Sequence, residues 1–285
     1  MNNMKEIKRS VEREFDGIKI VDYLKRAMAL SVSLVKKVKF GGVFINGTNV
    51  HMRAIVHEGD EILVKLPEEQ SENIRPKEIP LDIVYEDEYL IAVNKPSGMP
   101  THPSRGNSLT TLAEGIMAYF YPESFVFRAV NRLDRDTSGI VIIAKDAVTA
   151  DKLSKEMKKG GFVKKYSALV SGVPSPEEAV IDAPIERAEE GNIKREVRPD
   201  GKRAVTEYKV IRKLDDGDSI LDITLHTGRT HQIRVHMAYI GHPLRHDFLY
   251  GDKVEGENYK LHAKSIEFTH PFTEARMVLT KDADF

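Results

Sequence analysis

The run Asn131-Arg132-Leu133-Asp134-Arg135-Asp136-Thr137-Ser138-Gly139 sets one carboxylate, Asp134, between two arginines. It passes directly into the apolar stretch Ile140-Val141-Ile142-Ile143-Ala144. Glycine after Thr-Ser suits a turn that needs positive φ, and a β-branched run of this length predicts a buried strand. An acid fixed at a strand end beside positive charge stays ionised, the form in which it can act as nucleophile or base. Read alone, Asp134 is more simply a turn residue that accepts backbone hydrogen bonds.

Other segments change that balance. The run resembles the Arg-Leu-Asp-x-x-Thr-Ser-Gly signature of the RluA-type pseudouridine synthases. Lys164-Lys165-Tyr166-Ser167-Ala168-Leu169-Val170-Ser171-Gly172 and Thr227-Gly228-Arg229-Thr230-His231-Gln232-Ile233-Arg234-Val235-His236 match two further motifs, in the family's order and close to its spacing. Shorter matches are Asn94-Lys95-Pro96-Ser97-Gly98 with His102-Pro103, Gly241-His242-Pro243-Leu244, Leu249-Tyr250-Gly251 and Leu261-His262-Ala263. Together they cover nearly everything from about residue 80 onward.

The resemblance implies an enzyme that turns uridine in RNA into pseudouridine without a cofactor. Asp134 would be the catalytic carboxylate. Tyr166 would stack on the uracil, and Arg229 would pair with Asp134, lowering its pKa and fixing its rotamer. Arg132 would fill the space left by the extruded base. Leu133 and part of Ile140 to Ile142 would line the pocket beneath that base. Each has a plainer rival: Tyr166 as a core-edge tyrosine, Arg229 as a surface ion-pair residue. Two positions depart from the family pattern. Asn131 stands where His is usual and cannot titrate near neutrality, and Arg245-His246-Asp247 lacks the usual Gly before Asp. Five histidines crowd residues 226–246, but His231 and His236 are five apart, unlike paired zinc ligands. No metal site is expected.

The net charge of −1 hides an uneven distribution. Residues 18–53 carry seven basic residues (Lys19, Lys25, Arg26, Lys36, Lys37, Lys39 and Arg53) against the single acid Asp22; residues 54–90 are strongly acidic. A local basic cluster, rather than bulk charge, makes a footprint on a phosphate backbone. Residues 21–30 predict a short helix, and Ser33 caps a second one bearing Lys36, Lys37 and Lys39 opposite Leu34, Val35 and Val38. Asn46-Gly47 signals a hairpin, and Gly59-Asp60 precedes a last strand. This order resembles the small RNA-binding domain of ribosomal protein S4, and it implies RNA docking by Lys25, Arg26, Lys36, Lys37 and Lys39 through phosphates and shape.

The expected organisation is an extension over 1–15, the S4-like domain over 16–66, a linker over 67–79 and a catalytic domain over 80–285. The last reads as α+β. It has strands near 81–85, 89–93, 164–170, 204–214 and 219–226, and helices capped by Ser108 (with Leu109 inward) and Asp146. Without regular strand–helix alternation a doubly wound parallel sheet is excluded. The resemblance implies the pseudouridine synthase fold, a curved, mixed and largely antiparallel sheet with a central cleft. The 41% hydrophobic content supplies real cores, and the absence of cysteine excludes disulfides and thiolate metal sites. No apolar run is long enough to span a membrane. The expectation is a cytoplasmic monomer acting on RNA, with ribosomal RNA favoured over transfer RNA. The rival reading is a catalytically silent RNA-binding or ribosome-assembly factor on the same fold.

Overall fold

The computed structural model describes residues 6–66, 74–104, 109–123 and 125–285. The N-terminal part forms a four-stranded sheet of order β1-β4-β2-β3, from β1 (Glu6–Ser10), β2 (Val43–Ile45), β3 (Thr48–Asn49) and β4 (Glu61–Lys65). Two helices, α1 (Ile20–Arg26) and α2 (Val32–Val38), bury Ile20, Tyr23, Leu24, Leu34, Val35 and Val38 against Val43, Ile62 and Val64. Asn46 and Gly47 both take positive φ, 49° and 79°, so the expected tight hairpin forms. The cap of α2 is Ser31, whose side chain accepts from Leu34 N at 3.1 Å, rather than Ser33. Because β1 pairs antiparallel with β4, residues 6–10 belong to this sheet and are no free extension.

The expected linker lies partly outside the described residues, at 67–73. From Ile74 onward the chain is already packed: Ile74 contacts the large core, and Lys77 N donates to Glu114 O at 3.1 Å. The large unit is built on a nine-stranded sheet. Its strands run β5 (Asp82–Glu86), β6 (Leu90–Lys95), β7 (Ser138–Ala144), β14 (Leu261–Thr269), β8 (Val163–Val170), β13 (Ser219–Leu225), β12 (Val205–Lys213) and β9 (Glu178–Asp182), with β15 (Arg276–Thr280) paired to β14. A ribbon of β10 (Ile185–Arg187) and β11 (Arg195–Val197) stands beside it. Among the described strands the pairing is antiparallel except between β7 and β14. The fold is therefore mixed α+β and largely antiparallel.

Helices α3 (Leu112–Tyr119), α4 (Ala147–Lys158) and α5 (Gln232–Tyr239) pack on the sheet. Asp146 caps α4 as expected, accepting from Val148 N and Thr149 N at 2.8 and 2.9 Å. Ser108 lies outside the described residues. The cap of α3 is Thr111, in a reciprocal box with Glu114, so the helix starts later than expected and Leu109 is exposed rather than inward. Alternation along β7 splits its residues between two cores: Val141 and Ile143 face α3 and α5, while Ile140 and Ile142 face α4. None of the described helices is long and apolar enough to cross a membrane.

Candidate active site

The turn before β7 is held from several sides. Thr137 N donates to Asp134 O at 3.2 Å, closing the turn itself. Lys95 Nζ donates to Arg135 O at 3.0 Å, Ser97 Oγ to Asp136 O at 2.8 Å and Thr101 Oγ1 to Leu133 O at 2.9 Å. The Asn94–Gly98 motif thus fastens the carbonyls around Asp134. Lys95 is fully buried, and burial pulls its pKa down to about 7 against the pull of Asp136 and Asp134. Its ammonium also reaches Pro96 O and Met99 O. Three carbonyl acceptors match the three donors of the charged form.

Asn131 has a structural task. Its side chain donates to Ile140 O at 3.0 Å and accepts from Ile142 N at 2.9 Å, clamping β7 to the turn. The departure from the family's His therefore replaces a titratable ring with an amide that serves one donor and one acceptor of the backbone. Gly139 takes φ 113°, and a Cβ there would collide with the backbone of Ala263 on β14. Glycine is what lets β14 approach the end of the turn.

Asp134 is one-third exposed at the mouth of a cleft of about 80 Å³, lined by Arg132, Leu133, Thr137, Tyr166, Leu225, Arg229, His231, Gln232, Ile233, Arg234 and Leu261. The basic side chains within 4 Å of the carboxylate sit at the start of α5: the His231 imidazole, with Nε2 at 3.8 Å, and the Arg234 guanidinium, with Nη1 at 3.9 Å. The ion pair expected of Arg229 is therefore made by Arg234. Arg229 lines the same cleft, but its Nε donates to Arg203 O at 2.9 Å. Leu133 lines the pocket as expected, whereas Ile140 and Ile142 point to the opposite core, and Leu225, Ile233 and Leu261 take their place.

Arg234 is buried and forked onto Asp247, with both contacts at 2.7 Å, and its guanidinium lies 4.4 Å over the ring of Tyr259. Burial alone would lower its pKa; the hydrogen bonds and charge of Asp247 outweigh that and keep it cationic. His246, in the place of the usual glycine, adopts φ 62°, so the loop carrying Asp247 keeps a left-handed backbone step. Sequence reasoning missed Arg234 and Asp247. The signal available was that Arg234 stands five residues after Arg229 in the same matched motif.

Tyr166 is buried on β8 and lines the cleft, and among the described residues its hydroxyl has no hydrogen-bond partner. Burial, then the charge of Asp134, raises its pKa far above neutrality, so it acts as a phenol and not a phenolate. Gln232 ties the Thr227–Arg229 turn down, accepting from Thr227 Oγ1 and Arg229 N at 2.9 Å and donating to Val205 O at 3.0 Å. Arg132 is exposed at the cleft edge. Lys25, Arg26, Lys36, Lys37 and Lys39 are exposed at the C-terminal ends of α1 and α2 in the small unit. A larger cavity, about 460 Å³, lies behind the turn between Lys95, Tyr259, His262 and residues 281–285; Asp134 does not reach it.

Three of the histidines are spent on hydrogen bonds. His236 bridges Thr206 Oγ1 and Ala183 O, His262 bridges Ser138 Oγ and Lys281 O, and His231 meets Tyr250 OH, all at 2.8–2.9 Å. Burial lowers the pKa of all three below the ordinary 6.5. The unfolded chain therefore takes up protons first as pH falls, and folding stability drops as pH descends through about 6.5. Urea midpoints should be lower at pH 5.5 than at pH 7.5, and His236→Gln should flatten that dependence. Equal midpoints for the parent at both pH values would contradict this account.

A profile for the family described as RNA pseudouridylate synthase matches residues 89–239. A Bacillus subtilis protein named as an uncharacterized RNA pseudouridine synthase, YjbO, is 41% identical over 88% of this chain and 90% of its own. Ribosomal large subunit pseudouridine synthase D of Xylella fastidiosa is 35% identical over 84% of this chain and 76% of its own. Among solved structures, human RNA pseudouridylate synthase domain containing 1 superposes with a TM-score of 0.62 at 25% identity, covering 72% of this chain and 84% of that one.

Proposed function

Because this chain belongs to the RluA-type RNA pseudouridine synthase family, and is an RNA uridine isomerase on that ground, we propose that Asp134 is its catalytic carboxylate and large-subunit ribosomal RNA its substrate. The observation that carries the first part is a carboxylate at a cleft mouth, on a turn fastened by Lys95, Ser97 and Thr101, facing a buried arginine. The ribosomal assignment draws on relatives named as large-subunit enzymes and on the basic end of the small unit. A silent binding factor would have no use for a carboxylate, a phenol and a guanidinium converging on one cleft.

The isomerisation breaks the bond from uracil N1 to the sugar, turns the ring and joins carbon five to the same sugar carbon. Carbon five then loses its proton and N1 gains one, so nothing is oxidised or reduced. Asp134 starts the reaction either by attacking the anomeric carbon or by taking a sugar proton. Uridine in a helix must first be extruded, with Arg132 placed at the cleft edge to occupy the gap. Tyr166, Leu133, Leu225 and Ile233 offer the ring an apolar floor. Arg234 faces the carboxylate's charge from 3.9 Å. The small unit we read as an S4-like domain, with Lys25, Arg26, Lys36, Lys37 and Lys39 set on phosphates. In this reading the protein works in the cytoplasm as a monomer.

Mapping pseudouridines in ribosomal and transfer RNA from cells with and without the protein tests the substrate. Sites lost from large-subunit ribosomal RNA are expected. Loss confined to transfer RNA would overturn the ribosomal assignment, and no lost site in either RNA would overturn the whole substrate reading.

A further inference from the structure

Two successive lysines on β8 have opposite surroundings. Lys165 pairs with Glu267 on β14 at 3.8 Å. Lys164 alternates to the other face, the one that Tyr166, Ala168 and Val170 present to the main core. Its cross-strand neighbour is Leu225, a wall of the Asp134 cleft. Its ammonium lies against the Thr227–Arg229 turn: a Cβ placed on Gly228 would stand 3.3 Å from Lys164 Nζ.

Lys164 is half-buried, and burial alone lowers its pKa. Among the described residues no carboxylate lies within ion-pair distance of it and no acceptor receives a hydrogen bond from it. Lysines desolvated without a counter-charge are costly, and they are found where a ligand supplies the charge. Neighbouring cations are committed elsewhere: Arg234 to Asp247, and Arg229 through its Nε to Arg203 O. Uracil itself offers only neutral acceptors. The Asp134 carboxylate lies beyond ion-pair distance of Lys164, and of the groups an RNA can bring to this cleft only a backbone phosphate carries a full negative charge.

We propose that Lys164 binds the phosphodiester next to the extruded uridine, with Gly228 leaving the approach open. The proposal rests on the cleft being the uridine site. It adds an anion contact that anchors the target nucleotide on the β8 side.

The test uses the full-length protein and its RNA substrate, with Lys164→Gln and Lys164→Arg, over a series of KCl concentrations. Lys164→Gln should raise KM about tenfold with kcat nearly kept, and should shrink the slope of log kcat/KM against log salt by about 0.7–0.9, the share of one phosphate. Lys164→Arg should retain the parent slope. The thermal midpoint of Lys164→Gln should equal or exceed that of the parent, because an unpaired desolvated cation has been removed. An unchanged salt slope overturns the proposal, as does a loss confined to kcat, which would put the ammonium on the uracil. A lowered midpoint with unchanged kinetics would make Lys164 structural and overturn it too. If the parent converts no uridine in any RNA, the functional reading fails instead; a variant equal to an active parent sinks this inference alone.

Discussion

Asp134→Asn should yield a folded protein that still binds RNA and makes no detectable pseudouridine. The geometry separates these properties. The Asp134 side chain is one-third exposed, and the His231 imidazole and Arg234 guanidinium facing it stand at 3.8 and 3.9 Å, outside hydrogen-bonding range. The turn's own hydrogen bond uses the backbone oxygen of residue 134, which an amide side chain leaves in place. Stability should therefore move by no more than about 0.5 kcal/mol, the scale for sites free of packing or network contacts. Chemistry is another matter. A neutral amide is neither an effective nucleophile toward the anomeric carbon nor a base toward a sugar proton, so the rate should fall at least about a thousandfold. Denaturant midpoint and RNA affinity, measured beside activity, keep the two effects apart; a large loss of stability would show that Asp134 is mainly a turn residue.

Asp247→Ala should give the largest loss of stability, on the order of 3–5 kcal/mol, because it strands a buried guanidinium. Asp247 is fully buried and Arg234 only 3% exposed at its side chain. The carboxylate also accepts from Leu249 N at 3.0 Å and Tyr250 N at 3.2 Å, so its removal leaves backbone donors short as well. Against a typical total of roughly 5–15 kcal/mol, such a loss would leave little margin. Adding Arg234→Met should restore much of it by removing the orphaned charge, yet without recovering activity, since the guanidinium facing Asp134 is gone. Urea unfolding of the two single variants and the double variant measures the coupling. If Asp247→Ala cost less than about 1 kcal/mol, the pair would not be the support described.

The turn that carries Asp134 could be read from sequence because its determinants are local. A glycine needing positive φ, a polar turn and a β-branched run lie within fourteen residues, and the conformation of Gly139 and the strand β7 result from them. The hairpin at Asn46-Gly47 and the cap at Asp146 were legible for the same reason. The features that were not legible depend on long-range geometry. Whether Arg229 or Arg234 meets Asp134 is decided by where α5 begins, and the positive φ of His231 sets that start. Asp247 is thirteen residues from Arg234 and has no local pattern that marks it as buried. Asn131 looked like a lost titratable group, but its use lies in two hydrogen bonds to β7. The split of Ile140 and Ile142 from Val141 required knowing that both faces of β7 are covered. A continuous apolar run announces that it is buried and conceals which residue looks where. The start of α3 was missed because Leu109 keeps helical spacing with Leu112, while the capping box at Thr111 decides the boundary.

The most direct measurement is tritium release to water from RNA labelled at carbon five of uridine, monitored for the parent protein and for Asp134→Asn under identical conditions. The parent should release one tritium for each pseudouridine formed, and Asp134→Asn should release none above background while still retaining the RNA. Release by Asp134→Asn at the parent's rate would mean that some other group acts on the nucleoside, and the role given to this carboxylate would have to be abandoned.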